Sequence, residues 1–476
     1  MSVVVECELP EKWDVVKIGD YAHTTSGGTP KRSYPEYYGG NVPWVKSGDL
    51  NDSTLFSVDE YISDLGLEKS SAKLFKPGTV LVALYGATIG RLSILQIEAA
   101  SNQAVCGITL PDEMDNKYLF YYLRSIREKL IGQGKGGAQP NISQGIVKDI
   151  EVPLAPPVQQ KRIVAKIEEL FSHIDAGIDA LNKAKQLHKQ YRQSVLKAAV
   201  TGELTKQWRE DKKGKLEPAS KLLERILKER RQKWEAQQLE QFKAKGKVPK
   251  DDKWKGKYKE PDLSDDLFFG DIPESWCVAS IDHLACDVRY GSSSKTNDDK
   301  VGVPILRMGN IVDGALDYTK LKYLPKGHKE FPDLLLDDGD LVFNRTNSAE
   351  LVGKTAVFRD IGKDTSLASY LIRVRLINGV EADYVTYIVN SAIGKAWVKS
   401  CVSQNVGQAN VNGTKLKAFV VPVAPSEEQA EIVRLAKEKY DSSRRLFDEL
   451  EIQLIKAEKN KQSILASAFS GKLENI

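Results

Sequence analysis

The stretch GGAQPNISQGIVKDIEVPLAPPVQQKRIV, from Gly136 to Val164, is echoed by NVGQANVNGTKLKAFVVPVAPSEEQAEIV, from Asn405 to Val433. At a constant offset of 269 residues, Gln139 falls on Gln408, Asn141 on Asn410, Val152-Pro153 on Val421-Pro422 and Ala155-Pro156 on Ala424-Pro425. The register holds without a gap through Gln193-Ser194 and Gln462-Ser463 to Gly202 and Gly471. A gapless run of this length marks an internal duplication, so the chain is read as two copies of one unit.

Fainter echoes lie upstream. LPEKWDVVKIGD (Leu9 to Asp20) matches IPESWCVASIDH (Ile272 to His283), and NVPWVKSGDL (Asn41 to Leu50) matches GVPILRMGNI (Gly302 to Ile311). Each unit is therefore a divergent part followed by a well-matched one. The divergent part reads as mixed α/β. Short apolar runs such as TVLVAL and DLVF, bounded by Gly and Asp, predict strands. The runs from Tyr118 to Leu123 and from Tyr384 to Ile393 predict amphipathic helices, and GQGKGGAQ a loop.

The matched part predicts a long helix. Ile163, Ile167, Leu170, Ile174, Ile178 and Leu181, then Leu187, Tyr191 and Val195, recur mostly at three-four spacing. Ile432, Leu435, Tyr440, Leu446, Leu450, Leu454 and Ile464 repeat the pattern in the second copy. A helix of about 40 residues spans about 60 Å and leaves its apolar stripe wet unless paired. The other copy is the obvious partner, as in a coiled coil. The expected domains are residues 1–155, a helical spacer 156–204, a charged extension and linker 205–268, a second domain 269–424 and a second spacer 425–476. Within the extension, KLLERILKERRQKWEAQQLEQF predicts a helix and KAKGKVPKDDKWKGKYKEPDLSDD a flexible linker.

Bulk composition sets limits. The chain has 476 residues, 41% hydrophobic and 28% charged, as a globular protein has. No apolar run approaches the length of a membrane span. The acidic start MSVVVECELPEKW is unlike a signal peptide. Five scattered cysteines and five histidines form no ligand spacing, which predicts a reducing cytoplasm and no structural metal. Net charge is only +4, but Thr201 to Glu260 holds 19 Lys+Arg against 11 Asp+Glu. A basic segment of this kind marks either a nucleic-acid contact or a solvated helical linker.

Catalytic motifs are missing. AELVGKT (Ala349 to Thr355) has Ser348 where a phosphate-cradling loop needs glycine, and an apolar run instead of a helix follows it. PLAPPVQQ has Ala155 and Val158 at the two decisive places of the motif with which amino-methyltransferases hold a base. No HExxH or GxSxG is present. Polar loop residues at matched places remain. Lys46 and Ser47 correspond to Arg307 and Met308, and Asp49 to Asn310. Tyr85 and Thr88 fall near Asn344, Arg345 and Asn347. Lys135 and Gln139 lie in the loop that matches Gln404 and Gln408. Arg and Lys pair with guanine edges and Asn and Gln with adenine edges, while basic side chains also grip phosphates. Residues identical in both copies, such as Gln139 and Gln408, serve equally well as structural caps.

Together the duplicated units, the LPEKW and IPESW starts, the VPLAPPVQQKRIVAKIEEL and VPVAPSEEQAEIVRLAKEK junctions and the QSVLKAAVTGEL and QSILASAFSGKL ends resemble the specificity subunit of a type I restriction-modification system. The resemblance covers essentially the whole chain. PASKLLERILKERRQKWE resembles the spacer of one group of these subunits. Val158-Gln159-Gln160 departs mildly from the acidic-Gln pattern that Glu427-Glu428-Gln429 keeps.

The resemblance implies a non-catalytic subunit of a cytoplasmic, prokaryotic complex. Each divergent part would be a target recognition domain reading one half of a split, asymmetric site in double-stranded DNA. The long helices would pair antiparallel, give the chain pseudo-twofold symmetry, fix the gap between half-sites and dock two methyltransferase subunits. Two restriction/translocase subunits would join them. S-adenosylmethionine, ATP and Mg²⁺ would bind those partners and no cofactor this chain, and no membrane is involved. The rival expectations are an autonomous modification or restriction enzyme, which lacks its motifs, and a coiled-coil scaffold with two duplicated interaction domains.

Overall fold

The structure, a computed structural model, describes residues 9–133, 141–263, 271–348, 351–401, 403–405 and 408–473. The longest helices among them are α1 (Asn116–Ser125), α2 (Pro157–Val200), α3 (Ala219–Ala244), α4 (Ala382–Asn390), α5 (Ala392–Cys401) and α6 (Ser426–Phe469). The chain divides into two compact units. The first joins Met1–Ala184 to Glu449–Ile476, and the second is Lys185–Asp448.

In the first unit the fully buried strands Val80–Ala83 and Leu92–Leu95 sit inside a five-stranded sheet. Its order is His23–Ser26, Val105–Thr109, Val80–Ala83, Leu92–Leu95 and Ser53–Leu55, antiparallel except for the last pair. A second, four-stranded sheet centres on Tyr38–Val45 and Ala99–Ser101. A two-stranded pair, Asp14–Lys17 with Glu151–Leu154, ties the two ends of the domain together. α1 lies on the five-stranded sheet, and its buried Tyr118 donates its hydroxyl to Pro153 O at 2.6 Å.

The second unit repeats this frame. The strands Ala285–Tyr290, Leu371–Leu376, Leu341–Asn344 and Thr355–Val357 form the matching antiparallel sheet. Cys277–Ser280 with Val420–Val423 forms the matching end pair, and Tyr384 on α4 donates to Pro422 O at 2.7 Å.

Matched glutamines lock each long helix to its domain. Gln160, fully buried, accepts from Asp115 N at 2.8 Å and donates to Ala155 O at 2.8 Å. Its counterpart Gln429 accepts from Glu381 N at 2.9 Å and donates to Ala424 O at 2.8 Å. The neighbouring pair differs. Trp13 donates its indole N–H to Gln159 at 3.0 Å, whereas Trp276 donates to Glu428 at 2.9 Å. Glu428 is fully buried and also receives Thr205 Oγ1 at 2.7 Å and the guanidinium of Arg209. Thr205 and Arg209 follow α2 in the sequence. A buried carboxylate needs a cation, and a carboxamide does not. The departure at Val158-Gln159-Gln160 has this physical reason.

Both long helices have 44 residues. Within the first unit, Ile163, Ile167 and Phe171 share a core with Leu465, Ala468 and Phe469, and Lys461 binds Asp175. Within the second, Arg192 stacks on Tyr440 at 5.1 Å, His188 meets Ser443 at 3.1 Å and stacks on Phe447 at 4.9 Å, and Ala199 shares a core with Ile432. In each unit rising numbers on α2 meet falling numbers on α6, so the pairing is antiparallel. Ile163, Ile167, Ile432 and Leu450 are buried, and Leu170, Ile174, Ile178, Leu181, Leu435 and Leu454 half-buried.

Leu446 is a correction. It is 60% exposed, as Leu187 (55%) and Tyr191 (44%) are. An α-helix drifts against a strict heptad, so the inward face moves on to Lys185, His188, Arg192 and Phe447. Lys185 and His188 lie on the Phe447 ring there and Arg192 on the Tyr440 ring.

The predicted flexible linker after α3 is also corrected. Asp252–Lys257 forms a 3₁₀ turn, and Trp254 stacks on Trp234 with ring centroids 6.0 Å apart. At its other end α3 is anchored by Ala219, Leu222 and Ile226, which are buried in the core of the second unit.

Candidate nucleic-acid interface

The matched loops form the same turn twice. Asp49 and Asn310 each accept the backbone N–H of the residue three before, Lys46 at 2.8 Å and Arg307 at 2.9 Å. Each capping box holds a single 3₁₀ turn, Ser47–Asp49 and Met308–Asn310. Asn310 goes further and donates Nδ2 to Asp317 O at 2.7 Å. It is 3% exposed. Asn310 is thus a structural cap with no free edge for a base, which corrects its expected role. Asn344 is corrected likewise. It is fully buried in its strand and donates to Leu351 O at 3.0 Å.

What these caps present differs between the copies. In the second unit Arg307 lines a groove of about 840 Å³ with Lys295, Lys320 and Lys354, against the single acid Asp317. Arg307 donates Nη2 to Lys320 O at 3.1 Å, which sets its guanidinium on the groove wall. Ser292, Gly309 and Ser369 line it as well. Arg345 stands at the edge, donating to Ser369 O at 3.3 Å and lying over the Tyr290 ring at 4.8 Å. Four cations around one groove with one acid make a surface for anions.

In the first unit Lys46 is paired with Glu60 at 3.1 Å, and Arg32 pairs with the same carboxylate at 2.6 Å. Arg32, through its hydrogen bond, and then Lys46 hold the Glu60 carboxyl below its ordinary range. Arg32 also lies over the Tyr38 ring at 4.3 Å. Basic and aromatic side chains interleave here, along KRSYPEYY. Ser47 is half-buried beside Lys46.

The remaining predicted loops are brought together in pairs. Ile142 N donates to Leu84 O at 2.8 Å, and Tyr85 bridges Asn141. Val411 N donates to Arg345 O at 2.9 Å, and Thr346 pairs with Asn410 in a three-stranded ribbon that includes Ser403–Asn405 and Gln408–Asn410. The side chains of Asn347, Gln404 and Gln408 lie outside the described residues, as do Lys135 and Gln139 altogether. Thr88 is half-buried in the turn after Tyr85, its carbonyl accepting Arg91 N at 2.9 Å. Sequence reasoning missed Arg32, Tyr38, Lys295, Lys320 and Lys354. The signal was the clustering of aromatic and basic residues in unmatched segments, which a comparison of the two copies passes over.

The family model described as type I restriction modification DNA specificity domain matches this chain twice, over residues 10–185 and 273–446. The chain belongs to that family. Each match begins at the Trp-bearing start of a unit and runs into a long helix. The family's whole-length relatives include the type I restriction enzyme EcoKI specificity subunit of Escherichia coli (strain K12), 24% identical over 98% of this chain and 90% of that one. The StySPI specificity subunit of Salmonella potsdam is 22% identical over the same shares. Among solved structures, a chain from work on complex assembly and conformational transition of the type I R-M system shares the fold, with a TM-score of 0.68. It is 17% identical, over 98% of this chain and 100% of that one. Among the described residues no His/Cys/Asp/Glu group could hold a metal ion, the four described cysteines are free, and no helix is long and apolar enough to cross a membrane.

Proposed function

We propose that this chain is the DNA-specificity subunit of a type I restriction-modification complex, each unit reading one half of a bipartite, asymmetric site. One observation carries the reading. Residues shared by the two copies, such as Gln160/Gln429 and Tyr118/Tyr384, are buried and hold the frame, whereas the side chains facing outward from that frame differ. Two readers of different sequences on one scaffold require that division. In this reading Arg307 and Arg345 pair with guanine edges, and Lys295, Lys320 and Lys354 grip phosphates. In the first unit Lys46 and Arg32 take these roles.

The chain itself supplies no chemistry in this reading. Two methyltransferase subunits dock on the long helices and take the target adenine out of the stack, because a base inside the duplex is out of reach. Two restriction/translocase subunits complete the complex. S-adenosylmethionine, ATP and Mg²⁺ serve those partners, in the prokaryotic cytoplasm. The paired helices set the unspecified gap, as protein geometry sets half-site spacing in dimeric readers.

The test is co-expression with the methyltransferase partner in a host free of DNA methylation, followed by genome-wide mapping of N6-methyladenine. The expected result is one split motif, two short defined halves around a fixed gap, present only with this chain. Methylation that persists without the chain, or an assembled complex that methylates nothing, would refute the reading.

A further inference from the structure

The extension at the far end of α3 carries a charge array that the two half-site readers do not use. Residues 243–259 hold eight lysines and two aspartates, with no arginine. Lys253 pairs with Asp251 at 3.6 Å and Lys255 with Asp252 at 3.1 Å. The other six, Lys243, Lys245, Lys247, Lys250, Lys257 and Lys259, are exposed, and none has an acidic partner among the described residues.

A lysine-rich tether would have no need of a core, but this segment has one. Trp254 stacks on Trp234, and Phe242 meets the Trp254 ring at 6.1 Å. Tyr258 closes against Trp234 at 5.3 Å and accepts a hydrogen bond from Arg230 at 2.6 Å. Arg230 is fixed in turn by Asp282 at 3.2 Å. The aromatic clasp folds the return segment onto α3, and α3 is rooted in the second unit by Leu222 and Ile226. Six ammonium groups with no paired acid among the described residues are thereby carried on one folded segment. Holding them there is useful if a dense anion meets them.

We propose that this clasped lysine tip binds the phosphate backbone of duplex DNA without regard to sequence, outside the bases the two units read. Lysine is a point charge on a flexible stem, suited to phosphate but not to the bidentate reading of a base edge. Duplex DNA offers one charge per about 1.7 Å of axis, so an array of lysines needs no matched partner positions. An acidic protein surface would be expected to recruit arginine, whose fork matches carboxylates, and the tip has none. The proposal rests on the DNA-specificity reading above.

The experiment uses the complete methyltransferase complex and two duplexes, one with the mapped site and one scrambled. Three forms are compared: wild type, all six lysines changed to Gln, and all six changed to Arg, with the aromatic clasp intact in each. Affinity is measured from 50 to 200 mM salt. Each phosphate contact adds about 0.9 to the slope of log affinity against log salt. The Gln form is expected to lose affinity for both duplexes by the same factor, tenfold or more, and to lower the slope by about 2–5, with the methylated motif unchanged. The Arg form is expected to match wild type. Unchanged affinity and slope in the Gln form would overturn the proposal, as would a loss confined to the cognate duplex. Failure of the Gln form to assemble, with normal DNA affinity in whatever complex does form, would make the tip a protein-docking element instead. A wild-type complex that does not distinguish the two duplexes would instead sink the underlying reading.

Discussion

Replacing Arg209 by alanine will destabilise the second unit by about 3–5 kcal/mol, the cost of leaving a buried charge without its partner. Glu428 is fully buried and takes hydrogen bonds from Thr205, Arg209 and Trp276. Removing the guanidinium strands the carboxylate between an indole and a hydroxyl. The double change Glu428→Gln with Arg209→Met removes both charges and is expected to be nearly neutral. It rebuilds in the second unit what the first already has, an indole donating to a carboxamide. Hydrogen exchange read by mass spectrometry separates the units. Arg209→Ala will speed exchange at Cys277–Ser280 and Val420–Val423 but not at Asp14–Lys17 and Glu151–Leu154. Equal protection in wild type and variant would show that the ion pair does not hold the second unit.

Inserting one heptad in both long helices, after Ile178 and after Ala457, will lengthen the unspecified gap of the DNA site by about three base pairs. Seven residues add about 10 Å of helix, and duplex DNA rises about 3.4 Å per base pair. Ile178 and Ala457 lie close to the level where Asp175 meets Lys461, so paired insertions keep the apolar stripes in register. An insertion in one helix alone will abolish methylation, because it moves Ile163, Ile167 and Phe171 about 10 Å along the axis from Leu465, Ala468 and Phe469, with which they share a core. Methylome mapping reads both outcomes. A doubly extended chain that keeps its original gap would remove the helices from the measuring role.

Much of this fold was legible in sequence because the duplication repeats its constraints. Gln160 and Gln429, 269 residues apart, and Tyr118 and Tyr384, 266 apart, make equivalent buried hydrogen bonds in the two copies, and burial of a polar group permits few alternatives. The long helices showed in the spacing from Ile163 to Leu181 and from Ile432 to Leu454. What misled was apolarity taken as burial. Leu187, Tyr191 and Leu446 are exposed, while Lys185, His188 and Arg192 occupy the inward face through stacking on Phe447 and Tyr440. A hydropathy pattern does not register an arginine lying on a tyrosine.

The site was less legible for a related reason. Comparing the copies draws attention to matched polar residues, and matched residues are structural here. Asn310 and its partner Asp49 cap turns. The cations around the groove, Lys295, Lys320 and Lys354, come from unmatched segments that converge only on folding. The lysine-rich segment read as a tether because lysine and glycine dominate it. Its order comes from Trp234, Phe242, Trp254 and Tyr258, which are spread over 25 residues and meet only when the chain turns back.

The central claim is that each unit reads its own half of the site. Its most direct test replaces residues 10–155 with the corresponding segment of another family member whose site is known, and maps methylation made by the hybrid complex. The account predicts a hybrid motif in which one half becomes the donor's, while the other half and the gap stay as in the parent. A motif in which both halves change, or neither does, would contradict it.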